Sequence, residues 1–259
     1  MATFPFSSAL VTGASSGIGE AMVELLAGTG IHTVVVARRS DRLDELAARF
    51  AADVEVLVAD LTTSKGLAKV VARVADPDRP IDLVVNNAGF GTSGVFHELD
   101  ADRLQGEIDL NIAALTRLSH AALAAMVPRG RGYLLNVSSV ASFQPAPKLA
   151  VYAATKAYVT SLTESLHEEA RGTGVHVTAL CPGLTRTEFQ SVSNTEGYST
   201  QYPGFAWLTS QEVAVGGLRD VAKGKALSVP GALYKGMVGA VGVTPRGVAR
   251  RLAGLVQRG

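Results

Sequence analysis

The stretch Val11-Thr12-Gly13-Ala14-Ser15-Ser16-Gly17-Ile18-Gly19 decides the architecture. It follows the short apolar run Ser8–Val11 and opens a helical pattern over Ile18–Gly28. Glycines at a strand-to-helix turn let the chain reverse tightly, approach a bound group closely and pack the helix onto the sheet. The helix start then offers free N–H groups and the positive end of its dipole to an anion such as a pyrophosphate. The spacing is G-x-x-x-G-x-G rather than G-x-G-x-x-G, so further residues must carry part of the argument.

Outward from this turn, short β-branched runs alternate with longer helical patterns, as βαβ units require. The predicted strands are Ser8–Val11, Thr33–Ala37, Val54–Val58, Leu83–Val85, Tyr133–Val137, Val175–Leu180 and Leu227–Val229. Several are continuous apolar runs, as expected of strands covered by helices on both faces. Helices are predicted over Ile18–Gly28, Asp41–Ala51, Lys65–Ala75, Arg103–Met126 and Val151–Arg171. The rhythm fills residues 1–259 without a Pro/Gly/Ser linker, which predicts one α/β domain of Rossmann type, a doubly wound parallel sheet flanked by helices. Its main break, 187–208, is polar and aromatic and reads as a substrate loop or lid before a helix capped at Thr209 or Ser210.

Composition excludes several alternatives. Hydrophobic residues make up 47% of the 259 and charged residues 18%, which argues against disorder. The lone Cys181 lies in an apolar run and reads as a core thiol, and the five histidines show no metal-ligand spacing, so no metal is expected. A net charge of +1 gives no reason to expect nucleic-acid binding. No basic region followed by an apolar core opens the chain, and no run of about 18 apolar residues occurs, so a cytoplasmic protein is the expectation. The segment 223–259 carries seven basic residues and no acid.

Two features carry chemistry. The second predicted strand ends in Ala37-Arg38-Arg39, where an enzyme preferring NAD needs an acid for the adenosine ribose. A guanidinium there suits the 2′-phosphate of NADP through charge-assisted hydrogen bonds. Arg38 is the first choice for that grip, with Ser15 or Arg39 assisting; the competing reading makes both arginines the start of a solvated helix. NADP(H) is therefore preferred over NAD(H), and Asp41 reads as a helix-start residue. The second feature is Tyr152 and Lys156, four residues apart and so on one helix face. A phenol of ordinary pKa near 10 becomes a usable acid or base when an ammonium stabilises its anion.

Around this pair stand Asn86-Asn87-Ala88-Gly89, Asn111, Ser139 thirteen residues before Tyr152, and Pro182-Gly183-Leu184-Thr185-Arg186-Thr187. In order and spacing, from Val11 to Thr187, these motifs resemble the short-chain dehydrogenase/reductase family. The resemblance implies that Ser139 hydrogen-bonds the substrate oxygen, Tyr152 transfers a proton, and Lys156 lowers the tyrosine pKa while holding the nicotinamide ribose. It implies a water relay supported by Asn111, adenine contact at Asp60 with Leu61, and a wall built by Asn87, Ala88 and Gly89. The glycine turn contributes Gly13, Ser15, Ser16, Gly17, Ile18 and Gly19 to the cofactor site. Pro182, Gly183, Thr185 and Thr187 complete it, Thr187 holding the carboxamide. Family members imply a homodimer or homotetramer.

The implied function is an oxidoreductase moving hydride between nicotinamide and a carbonyl or secondary alcohol. A rival is a sensor or scaffold that binds NADP(H) without turnover; a third is epimerase or dehydratase chemistry. Ser138 and Tyr158 read as structural neighbours of the reactive pair. Substrate specificity is expected in Ser93–Phe96, Phe143–Pro147 and the 187–208 loop, whose aromatics (Phe143, Phe189, Tyr198, Tyr202, Phe205, Trp207) either line an apolar pocket or pack the loop. A short helix from Thr244-Pro245 with Arg246, Arg250 and Arg251 reads as a solvated face, a subunit contact, or a weak site for anionic lipid or an acyl-carrier phosphopantetheine.

Overall fold

A computed structural model describes residues 4–50, 54–195, 197, 201–245, 247–248 and 250–251. Its centre is a parallel sheet of β1 (Ser8–Thr12), β2 (His32–Ala37), β3 (Val54–Val58), β4 (Leu83–Asn86), β5 (Gly132–Val137), β6 (Val175–Leu180) and β9 (Leu227–Ser228). The spatial order is β3-β2-β1-β4-β5-β6-β9. Order reverses between β1 and β4, and a crevice opens at the carboxyl ends of strands on either side of such a switch. The seven predicted strands are all present, with ends that agree to within one residue.

Alternate strand residues feed two apolar layers. Val11, Val35, Val85, Leu135 and Leu180 face one layer with Met22 and Leu26 of α1 (Gly17–Ala27), Leu43 of α2 (Ser40–Phe50) and Val213 and Leu218 of α8 (Ser210–Ala222). Leu10, Val34, Val84, Leu134 and Val177 face the other with Val70 and Val74 of α3 (Ser64–Val74) and Leu118 and Met126 of α5 (Leu115–Met126). Helices on both faces explain why the strands read as unbroken apolar runs. Asp41 lies in the first turn of α2. Thr209 caps α8 in a reciprocal pair with Glu212: Thr209 Oγ1 accepts from Glu212 N at 3.1 Å and Glu212 Oε2 accepts from Thr209 N at 2.8 Å.

Four departures from expectation bear on the site. The helix predicted over Arg103–Met126 begins at Ala101 as α4 (Ala101–Ile108) and is interrupted by a π-helical turn at Asp109–Ala114 before α5. The run Ala101–Arg129 has the length and hydropathy of a membrane span, but Leu104, Ala114, Leu115, Leu118, Ala122 and Met126 on its inner face are buried in the protein. The long helix α6 spans Ala150–Glu169, and beside α8 the chain forms a two-stranded sheet, β7 (Thr185–Arg186) paired with β8 (Leu208–Thr209), that pins both ends of the 187–208 loop. That loop contains a short helix, α7 (Phe189–Val192). An unforeseen helix, α9 (Ala232–Val243), follows β9. Four glycines between 231 and 242 weaken its sequence signal. The segment after Pro245 is helical at 247–248 and 250–251; Arg246 and residues 249 and 252–259 lie outside the described residues.

Candidate active site

A cavity of about 730 Å³ runs along the carboxyl ends of β1, β2, β4, β5 and β6. At one end lies the glycine turn. Gly13 and Gly17 have φ of +65° and +61°, a region that side chains strain to enter. A Cβ on Gly13 would meet Asn87 Nδ2 and the Ala88 backbone, and one on Gly17 would press on Thr187. Thr12 and Asn87 hold the turn: Thr12 Oγ1 accepts from Asn87 N at 2.9 Å and Ala88 N at 3.0 Å, while Asn87 Nδ2 donates to Thr12 O at 2.9 Å. Ser16, at the start of α1, caps no backbone N–H with its side chain, so the first-turn donors are left for an anion. The cradle therefore fits a pyrophosphate. Gly13, Ser15, Ser16, Gly17 and Ile18 line it; Gly19 stands behind, where a Cβ would collide with Gly13 O.

Both arginines at the end of β2 line the same cavity. Arg38 faces Asp60, and its charge helps hold that carboxyl below the usual range. Burial alone would raise the Asp60 carboxyl, but hydrogen bonds from the Thr62 hydroxyl (2.7 Å) and N–H (3.0 Å) outweigh it. Arg39 reaches across instead: Nη2 donates to Ser15 Oγ at 3.0 Å, and Nη1 pairs with Glu188 Oε2 at 2.9 Å. The Glu188 carboxyl is held low first by that Arg39 hydrogen bond, with Ser16 and Arg42 adding to it. A carboxylate thus sits among Arg39, Arg42 and Ser16 at the mouth of the anion cradle.

At the other end of the cavity stand Ser139, Tyr152 and Lys156. Ser139 follows β5 and starts a short 3-10 turn, its Oγ accepting from Ala141 N at 3.1 Å. Tyr152 and Lys156 lie on the buried face of α6, with Nζ 5.7 Å from the phenol ring centre. Burial dominates both groups. It pushes the phenol up to about 12 against a lowering hydrogen bond from Ser139, with Glu107 raising it further. It pushes the ammonium down to about 8, against Glu107, which raises it. Lys156 Nζ donates to Val137 O at 2.8 Å, and burial outweighs the lowering influences on the phenol.

Asn111 is buried and off the cavity wall. From the π turn its side chain bridges the loop after β4 and helix α6: Nδ2 donates to Phe90 O at 2.8 Å and to Thr155 Oγ1 of α6 at 3.1 Å, and Oδ1 accepts from Phe90 N at 3.2 Å. Ser138 is occupied by Lys156 O and Thr160, and Tyr158 by Thr116, as their structural reading expected. Among the described residues no cluster of three or more His, Cys, Asp or Glu is placed to hold a metal ion.

The sequence pattern of the family described as short chain dehydrogenase matches residues 7–197. The chain belongs to that family. It is 37% identical over 179 residues to an uncharacterized oxidoreductase of Staphylococcus epidermidis, covering 69% of this chain and 78% of the relative. Among solved structures it resembles a short-chain dehydrogenase from Sphingobium yanoikuyae in complex with NADPH, with 35% identity, TM-score 0.82, and coverage of 90% of this chain and 92% of that one. A bulky-bulky ketone specific alcohol dehydrogenase from Comamonas testosteroni gives 32% identity and TM-score 0.77 over 93% and 95% of the two chains. The fold is thus that of the short-chain dehydrogenases, and the chain is an oxidoreductase of that type.

In this short-chain dehydrogenase the substrate end differs from the sequence expectation. Of the six aromatics, Phe189 and Tyr202 line the cavity. Phe205 is 79% exposed, Trp207 packs under Arg186 with its Nε1 on Tyr202 O, Phe143 is off the wall, and Tyr198 lies outside the described residues. Gln144 and Ala146 line it from the 143–147 stretch, whereas Ser93–Phe96 stays outside. Leu149, Leu184, Leu233 and Met237 add aliphatic surface to the wall. Sequence reasoning missed α9 altogether, and with it Tyr234. Its hydroxyl accepts from Leu184 N at 3.0 Å and donates to Ala206 O at 2.7 Å, and its ring fills the space a Gly183 side chain would need. The one available signal was Gly183 itself, since a glycine after a strand often marks close approach.

Proposed function

We propose that this chain is an NADP(H)-dependent reductase or dehydrogenase acting on an apolar ketone or secondary alcohol, with Tyr152 carrying the proton. The carrying observation is that one continuous cavity joins the glycine cradle, two arginines at the end of β2 and the Ser139–Tyr152–Lys156 set. Glycine-turn N–H groups would hold the pyrophosphate, and Arg38, Arg39 and Ser15 the 2′-phosphate. Lys156, Thr187 and the Pro182-Gly183-Leu184-Thr185 segment would hold the nicotinamide end. A bound nicotinamide supplies or takes the hydride.

The chain's own residues handle the proton. Negative charge growing on a substrate oxygen is met by the Ser139 and Tyr152 hydroxyls in a water-poor site. A phenol near 12 keeps its proton at neutral pH yet is more acidic than an alkoxide's conjugate alcohol, so it serves as the acid of a reduction. The likeness to a bulky-ketone alcohol dehydrogenase, together with the aliphatic lining, supports a bulky apolar substrate. The long helices α5 and α6 meet at Thr116 and Tyr158, whose ring is 39% exposed, and we assign this face to the contact of a homodimer or homotetramer.

Titration with NADPH and with NADH, followed by nicotinamide fluorescence, tests the cofactor end; a panel of ketones graded by size tests the substrate end. NADPH should bind much more tightly. Tyr152→Phe should keep that binding and lower reduction by about 10²–10⁴-fold. Equal affinity for the two cofactors would remove the role given to the arginines, and a Tyr152→Phe variant of unchanged rate would remove that given to the phenol.

A further inference from the structure

Behind the Tyr152–Lys156 pair lies a group that the proposed reaction does not yet use. Glu107, on the inner face of α4, is fully buried, and neither Oε1 nor Oε2 has a hydrogen-bond partner. Thr92 Oγ1 and Arg103 Nε beside it are also buried and unpartnered. The Thr92 hydroxyl is close enough to lower the carboxyl's pKa without forming a hydrogen bond of ordinary geometry. A buried acid left so is costly, and an apolar side chain of the same volume would fill the space more cheaply. What remains to be explained is why a carboxyl stands there.

α4 packs against α6, and the ionisable groups that face Glu107 come from those two helices. They are Lys156 and Tyr152 on α6 and Arg103 on α4. Arg103 donates through Nη2 to Val192 O and covers the Phe90 ring at 5.2 Å, and its charge also bears on Glu107. From the far side Lys156 and Tyr152 face Cys181, whose thiol burial pushes up to about 11 and so keeps neutral. Glu107 is therefore the carboxylate that acts on Lys156.

We propose that Glu107 is a positioning residue for the reduction: its carboxylate keeps Lys156 an ammonium in a site that would otherwise drive it neutral. The inference rests on reading Tyr152 and Lys156 as the proton-transfer pair. Burial lowers Lys156 to about 8 and raises Glu107 to about 7, so between these two values each group is more than half charged and bears on the other, with Arg103 as a second cation on the carboxylate. Removing the anion lowers the lysine pKa further. The ammonium is then lost, and with it activity, at lower pH.

Glu107→Gln keeps size and polarity and removes the charge. The alkaline limb of kcat/KM for ketone reduction should move down by about one pH unit, since a near opposite charge shifts a pKa by about one to three. The loss at pH 8.5 should exceed the loss at pH 6 by about tenfold. KM should stay close to that of the parent protein, because Glu107 lies off the cavity wall. Glu107→Met guards against a folding defect: the apolar side chain should raise the Tm at pH 8 while moving the limb in the same direction. Superimposable pH profiles, or a Tm and a rate that fall together at every pH, would overturn the proposal. The lysine can also be followed without turnover, through the pH titration of its ¹⁵Nζ resonance in the parent protein and in Glu107→Gln. A parent protein that turns over no ketone would sink the reading of the pair. An unchanged Lys156 titration would sink the role of Glu107 alone.

Discussion

Lys156 illustrates how far burial sets chemistry at single residues. With its ammonium near 8, the group is charged at neutral pH and loses its proton just above it. On the proposed mechanism, reduction holds up to about pH 8 and declines beyond; a kcat/KM profile flat to pH 10 would show that the lysine charge is not used. Glu107 gives a second residue-level consequence, in stability. Its folded-state pKa of about 7 lies above the ordinary value of 4.5, so the fold favours the protonated form. The stability this contributes is complete below about 4.5 and is lost as pH rises through 7. Thermal melts at pH 5, 6 and 7 should therefore fall more steeply for the parent protein than for Glu107→Gln. At the same scale the sequence singled out Ser139, Tyr152 and Lys156 by their spacing, and the fold brings all three to one cavity. It did not reveal the direction of the shift at Tyr152, because desolvation depends on what closes over α6.

Between elements, the contact to probe is the bridge from the end of β2 to the start of α7. Arg39 pairs with Glu188 at 2.9 Å while also holding Ser15, so a carboxylate competes for the guanidinium that the proposed NADP(H) site requires. Arg39 and Glu188 are each more than two-fifths exposed, and such a pair adds little to stability. Its effect should appear in binding instead. Glu188→Gln is expected to tighten NADPH by several-fold at low salt and NADH much less, whereas Arg39→Ala weakens NADPH selectively. Fluorescence titration at two salt concentrations measures both, and an equal gain for the two cofactors would show that Glu188 does not stand against the 2′-phosphate. This bridge was not legible in the sequence, since its partners are 149 residues apart. Nor were β7, β8 and α9: two-residue strands have no period to read, and a glycine-rich helix has a weak one.

For the molecule as a whole, the two apolar layers bear on one central sheet. Leu135 on β5 is fully buried in the layer beneath α8. Leu135→Ala should cost about 2–5 kcal/mol of unfolding free energy, read as a lower denaturation midpoint with an unchanged slope. The fold was legible at this scale because continuous β-branched runs, glycine at the first strand-to-helix turn and helices of regular length all point to the same parallel sheet.

The sequence by itself determined the strands of the sheet, the glycine turn after the first of them, and the residue types proposed to bracket a reacting oxygen, because each rests on local spacing or local conformation. The tertiary structure decided which groups share a space: Glu107 behind Lys156, Glu188 against Arg39, Tyr234 over Gly183, and a wall of mixed aliphatic and aromatic side chains. Burial, and the charge pairing it enforces, is a property of packed neighbours distant in the chain, and periodicity along a single strand or helix carries no record of it.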